Sequence, residues 1–182
     1  MRFVVTGEWS RNSFLKVIVW CFLAYTMILW MTNAGLYFAK MGLSTDSVIQ
    51  YYRGNPERFL EPRSMYGLLE LLHFHSFAMG MLLMTLTHLV LFVPISMRVK
   101  AWSIALAFGA AVTGELSGWG VRFLHPGFAY FKVGSFVLLE IVILWLMLQV
   151  VRALLFELPN GYTQGDPSAQ NGSARCSRER LP

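Results

Sequence analysis

Long apolar runs separated by short polar connections are the dominant pattern of this chain. Four stretches, roughly 14–38, 66–94, 101–119 and 128–156, are nearly free of Asp, Glu, Lys and Arg, whereas the segments between them concentrate those residues. A helix crosses about 30 Å of hydrocarbon with about 20 mainly apolar residues, at about 1.5 Å of rise per residue, so each stretch is long enough to span a bilayer. The expected fold is therefore all-α, a four-helix transmembrane bundle over 14–156. The first run follows Arg2 and Arg11. It exceeds the apolar core of a secretion signal, about 7–15 residues, and reads as an uncleaved span.

The connection at 39–65 is the only long one, and it has internal grammar. Ser44 or Thr45 can N-cap a short helix through Val48, Ile49, Tyr51 and Tyr52, with Gly54 and Pro56 to end it. Such a helix is expected to lie on the membrane surface with its tyrosines at headgroup level. Pro62 and Ser64 then supply a stop and an N-cap for the second span. Residues 157–182 are polar and rich in Gly, Pro and Ser, which predicts a disordered tail.

Charge adds a direction. If the N-terminus is cytoplasmic, the inner segments hold Arg2, Arg11, Lys16, Arg98, Lys100, Arg152, Arg175, Arg178 and Arg180, and the outer ones Lys40, Arg53, Arg58, Arg63, Arg122 and Lys132. That bias of nine against six places both termini, 1–13 and the tail, on the cytoplasmic side. The net charge of +5 is thus topological. The basic residues do not form a face interleaved with aromatics, so no nucleic-acid partner is expected. Two cysteines, Cys21 and Cys176, rule out a disulfide framework and a Cys-x-x-Cys motif.

Ionisable groups inside a membrane cost about 2.5–3.5 kcal/mol each on insertion scales and so invite a functional reading. Here they are Glu70, His73, His75 and His88 on the second span, Glu115 on the third and Glu140 on the fourth, with His125 just beyond the third. At roughly 100° per residue, Glu70, His73, Phe77, Gly80, Met84 and His88 share one stripe, and His75 lies about 200° from His73. By helix rise Glu70, His73, Glu115 and His125 can converge near the outer face, with His75 nearby and Glu140 close to the membrane centre.

Three kinds of chemistry suit this set. Two histidines on one helix face, with a small residue between them, have the spacing of ligands to stacked b-type haems. His73 with His125 is the first such pair, Glu70 orients His73, and His88 and His75 are further ligands; an inner haem on His88 needs a Met, a second protomer or another subunit. Alternatively, Glu70-x-x-His73 with Glu115 and Glu140 is half of the di-iron carboxylate pattern, or a site for a single transition metal or a metal-transport path. In the third reading the same residues are polar glue between helices in a non-redox assembly or binding protein, at about 0.6 kcal/mol each. Tyr51-Tyr52-Arg53-Gly54 suits an anionic headgroup or a quinone ring, with interfacial anchoring the simpler role. No catalytic nucleophile, phosphate-cradling glycine loop or hydrolytic triad is visible, so an independent enzyme is not expected.

Tyr51-Tyr52-Arg53-Gly54, then Pro62, then Glu70-Leu71-Leu72-His73-Phe74-His75 and His88-Leu89 resemble a group of small four-span bacterial membrane proteins over about residues 44–94. The resemblance implies a four-span fold in a bacterial inner membrane, and no activity. His73 and His88 also carry a remote likeness to membrane b-type cytochromes. The functional expectation is a small accessory or electron-transfer subunit with a haem or metal site near the outer face, in contact with the bilayer and with other subunits or a second copy.

Overall fold

A computed structural model describes residues 13–155. The expected cytoplasmic N-terminal segment and disordered tail lie outside the described residues but for Ser13. Four long helices make the bundle: α1 (Ser13–Lys40), α3 (Met65–Leu91), α4 (Met97–Trp119) and α5 (Phe128–Leu155), with the short α2 (Thr45–Arg53) in the long connection. No β-strand occurs among the described residues. All four long helices are apolar enough and long enough to cross a membrane, α4 counted through Leu124.

The helix ends follow local chemistry. Ser44, Ser64 and Ser96 each stand just before a helix in extended backbone, and each side chain accepts the N–H three residues on, which satisfies one of the free donors of the first turn. Gly54 ends α2 at φ 82°, where a Cβ would lie 2.5 Å from the Leu60 carbonyl oxygen, so only glycine fits. α3 closes before Pro94, and Lys100 donates from Nζ to the Leu91 carbonyl at 2.6 Å. The ammonium thereby caps the carbonyl end of α3, which is why a helix containing Arg98 and Lys100 can start as early as Met97. Beyond Trp119, α4 widens into one π turn over Gly120–Leu124.

α5 is the hub. It packs most closely on α4 and also against α3, α2 and α1. Its Leu139, Ile143, Leu146, Val150 and Leu154 meet Leu83, Leu86 and Val90 of α3, Ala107 and Ala110 of α4, and Val19 and Leu23 of α1 in one core. The outward faces are equally apolar: Phe14 is 81% exposed, Phe77 71% and Trp102 67%. Water does not tolerate so much contiguous apolar surface on a monomer. Hydrocarbon does, and the chain is an integral membrane protein.

The α2 helix does not lie free on the membrane surface. It packs on α5 and the π turn, and Tyr52 is only 3% exposed. Gly118 makes the room, since a Cβ there would stand 2.6 Å from the Tyr52 hydroxyl. Three arginines secure this cap. Arg53 donates to the Val121 carbonyl at 2.6 Å and the Leu124 carbonyl at 3.3 Å, Arg122 donates to the Arg63 carbonyl at 2.8 Å, and the Arg63 guanidinium sits 4.2 Å from the centre of the Tyr51 ring. The π turn leaves carbonyls in need of donors, and arginine meets two of them at once.

Candidate functional site

The orientation of α3 decides which histidines can share a site. Its buried residues are Leu68, Leu83, Leu86, Thr87 and Val90. At roughly 100° per residue their centre falls about 100° around the helix from His73 and about 160° from Glu70 and His88. Those three side chains are exposed on the outward side of α3, and none has a hydrogen-bond or ion-pair partner among the described residues. His75, about 60° from the buried centre on the same count, turns inward. Its Nδ1 lies 3.0 Å from Oε1 of Glu115 on α4.

The expected gathering of Glu70, His73, Glu115 and His125 is thus replaced by a pair, His75 with Glu115. His125 ends the π turn, and its Nδ1 accepts the Gly127 N–H at 3.0 Å. Nothing joins it to His73. Glu140, the remaining carboxylate of the set, sits apart on α5 against α1. There Asn33 donates from Nδ2 to Oε1 of Glu140 at 2.7 Å, and Trp30 donates to its backbone carbonyl at 3.1 Å. Among the described residues no group of three or more His, Cys, Asp or Glu side chains is arranged to hold a metal ion.

His75 and Glu115 line a cleft of about 410 Å³. Helices α1 and α3 each pack on α5 but barely touch one another, and the cleft lies where they part, with α4 and α5 behind it and Tyr51 and Tyr52 of α2 at one end. Most of its wall is apolar, including Leu36, Met79, Leu83, Phe108 and Leu139. Polar groups enter from every side: Asn33, Tyr37 and Lys40 of α1, His75 and Ser76 of α3, Glu115 of α4, Lys132 and Ser135 of α5. A mostly apolar pocket with a few convergent polar groups is the usual form of a small-molecule site.

Two features give the cleft chemical direction. In the neutral tautomer of His75 that donates its Nδ1–H to the Glu115 carboxylate, Nε2 keeps its lone pair. No protein group among the described residues takes that lone pair. Tyr37 is the second. It lines the cleft, is 7% exposed, and its hydroxyl has no hydrogen-bond partner among the described residues. Its ring stacks on Phe136 at 3.6 Å between centroids and 4° between planes, which makes a flat aromatic wall. Lys132 donates from Nζ to the Gly114 carbonyl at 2.8 Å.

Lys132, Tyr37 and Asn33 are absent from the residues singled out by sequence. A signal for them exists. Thr26, Trp30, Asn33 and Tyr37 recur at intervals of four, three and four along an otherwise apolar helix, and Lys132, Ser135, Phe136 and Leu139 share one face of α5 at i, i+3, i+4 and i+7. On α1 and α5 such polar positions mark a packed face, whereas the stripe of Glu70, His73 and His88 on α3 faces outward.

A family model described as a transmembrane helical domain matches residues 42–160, from before α2 to beyond the end of α5. No curated protein and no solved structure matches the chain.

Proposed function

The chain belongs to the Aq_1264_TM family of transmembrane helical domains, and from its cleft we propose that it works inside the bilayer as a small electron-transfer accessory subunit that holds a quinone-type ligand. The observation that carries this reading is the Tyr37 hydroxyl, buried and unpartnered in the cleft wall that also holds His75. A buried polar atom left without a partner is costly, by about 1–3 kcal/mol, and a ligand oxygen relieves it.

The chemistry of the wall selects the head group. Lys40, Lys132 and Glu115 bring charges of both signs to the cleft, and Asn33, Tyr37 and His75 add neutral hydrogen-bonding groups, so an uncharged ring with oxygen substituents meets both donors and an acceptor on a mostly apolar wall. Tyr37 and Lys132 donate to a carbonyl of the oxidised form. His75 at Nε2 accepts from a hydroxyl of the reduced form. The flat Tyr37 and Phe136 wall suits a ring, and an isoprenoid tail leaves between α1 and α3. On the Lys and Arg bias, the α2 end of the cleft faces outward from a bacterial inner membrane.

A second reading has its own observation. A histidine whose Nδ1 is held by a carboxylate is oriented as metal-ligating histidines are, with Nε2 offered to iron or another transition metal. On this reading His75, not His73, ligates a b-type haem or a metal ion inside the cleft, and the outward His73 and His88 are left for another subunit.

One titration separates them. Purified full-length protein in nanodiscs is titrated with a short-chain quinone and scanned for reduced-minus-oxidised haem absorbance. Saturable quinone binding is expected, lost in His75→Ala and weakened about fivefold to tenfold in Tyr37→Phe, the worth of one hydrogen bond. A haem band that disappears in His75→Ala would move the assignment to the second reading. Failure of quinone to bind a colourless, folded protein would end the first.

A further inference from the structure

Three buried side-chain oxygens have no hydrogen-bond partner among the described residues: Thr26 Oγ1, Tyr37 Oη and Glu140 Oε2. All belong to one seam. Thr26 and Tyr37 share a face of α1 with Trp30 and Asn33, the two residues that bond Glu140 of α5. Orphaned polar atoms are costly in a bilayer, where no bulk water reaches them, and three on one seam require a common explanation.

Glu140 makes the requirement sharpest. It is 9% exposed and lies near the middle of α5. Ionised, its carboxylate has one oxygen on Asn33, while, with the neighbouring Trp30 N–H directed at the Glu140 backbone carbonyl, Oε2 has no hydrogen-bond partner among the described residues. Protonated, it carries an O–H on the same oxygen with nothing to receive it. Neither form is complete without an added water. The supply is adjacent, because Asn33, whose amide holds Glu140, lines the cleft, as do Tyr37 and Leu139 on either side.

We propose that the α1–α5 seam holds water continuous with the cleft, and that Glu140 is a protonated acid which exchanges its proton with the cleft along that water past Asn33. In the exchange one O–H bond of the carboxylic acid breaks as one to the neighbouring water forms, and the reverse step restores the acid, so no oxidant or co-reactant is needed. No lysine, arginine or histidine hydrogen-bonds or ion-pairs with the carboxyl group among the described residues; the titratable groups of the cleft wall beyond Asn33 are His75, Glu115, Lys40 and Lys132, with the phenols of Tyr37, Tyr51 and Tyr52. A buried neutral acid beside a cleft provides a proton store. This inference stands whatever ligand the cleft holds.

Infrared spectroscopy of the full chain in nanodiscs, moved from H2O to D2O, tests it. The expected result is a carbonyl band of a neutral carboxylic acid that shifts down in D2O, is lost in Glu140→Gln and is kept in Glu115→Gln. Asn33→Leu is expected to keep the band and slow its shift. Glu140→Asp, which preserves an acid, moves the band and so serves if Glu140→Gln does not fold. Absence of the band from the wild type, its persistence in Glu140→Gln, or its failure to shift in D2O overturns the proposal. Quinone binding is read in a separate titration, so the two ideas fail separately.

Discussion

At the scale of single residues, the sharpest expectations come from places where geometry leaves no slack. Gly54 holds a backbone conformation almost closed to other residues, with the Leu60 carbonyl 2.5 Å from where a Cβ would stand. Gly54→Ala is expected to cost about 1–3 kcal/mol, read as a lower thermal midpoint in detergent. Tyr52 gives a pH effect. Burial, first of all, pushes its phenol above the ordinary value, with Tyr51 and Glu115 adding to the rise. A group whose folded pKa is raised contributes stability that is whole below the unfolded value, about 10, and is lost as pH climbs through that value toward the folded one. Alkaline titration of the wild type should therefore unfold the α2 cap, and Tyr52→Phe should flatten that limb.

Among the elements, α2 and the π turn stabilise one another. The Val121 and Leu124 carbonyls accept from Arg53, and the connection that follows α2 is tied back through Arg63 and Arg122. Hydrogen bonds to a charged group are worth about 1.5–3 kcal/mol, so Arg53→Ala should raise amide exchange in α2 and the turn after α4 while leaving the core of α5 protected. Arg53→Lys should rescue little, because an ammonium cannot reproduce the planar fork that meets two carbonyls. The Ser44 cap and the Gly54 stop of α2 are both legible in the sequence. Its seat is not, because that depends on Gly118 meeting Tyr52 across the bundle.

For the molecule as a whole, the bilayer is the solvent that completes the fold. Four spans return the chain to the side from which it started, and on the orientation expected from the Lys and Arg bias the 39–65 connection lies outside. Carried in a background with Cys21→Ser and Cys176→Ser, Glu57→Cys should react with an impermeant thiol reagent from the outer side of intact cells, and Ser13→Cys only after lysis. Labelling of both from outside would contradict the four-span arrangement. Labelling only of Ser13→Cys would keep the bundle and invert it.

The number of spans, their approximate limits and the caps of α2 and α3 could be read from the sequence, because each is a local matter. A run of apolar residues fixes a span by its length, and a serine before a helix or a glycine at positive φ acts within a few residues. The facing of α3 could not be read in this way. In water an amphipathic helix declares its buried side, but here lipid and core are both apolar, so the stripe of Glu70, His73 and His88 was as good a candidate for the interior as the opposite side. Packing against α4 and α5 chose Leu83, Leu86 and Val90 instead, and with them His75. Glu115, Tyr37 and Lys132 became neighbours of His75 only through that choice, since proximity across four helices is a property of how they pack and not of any one of them.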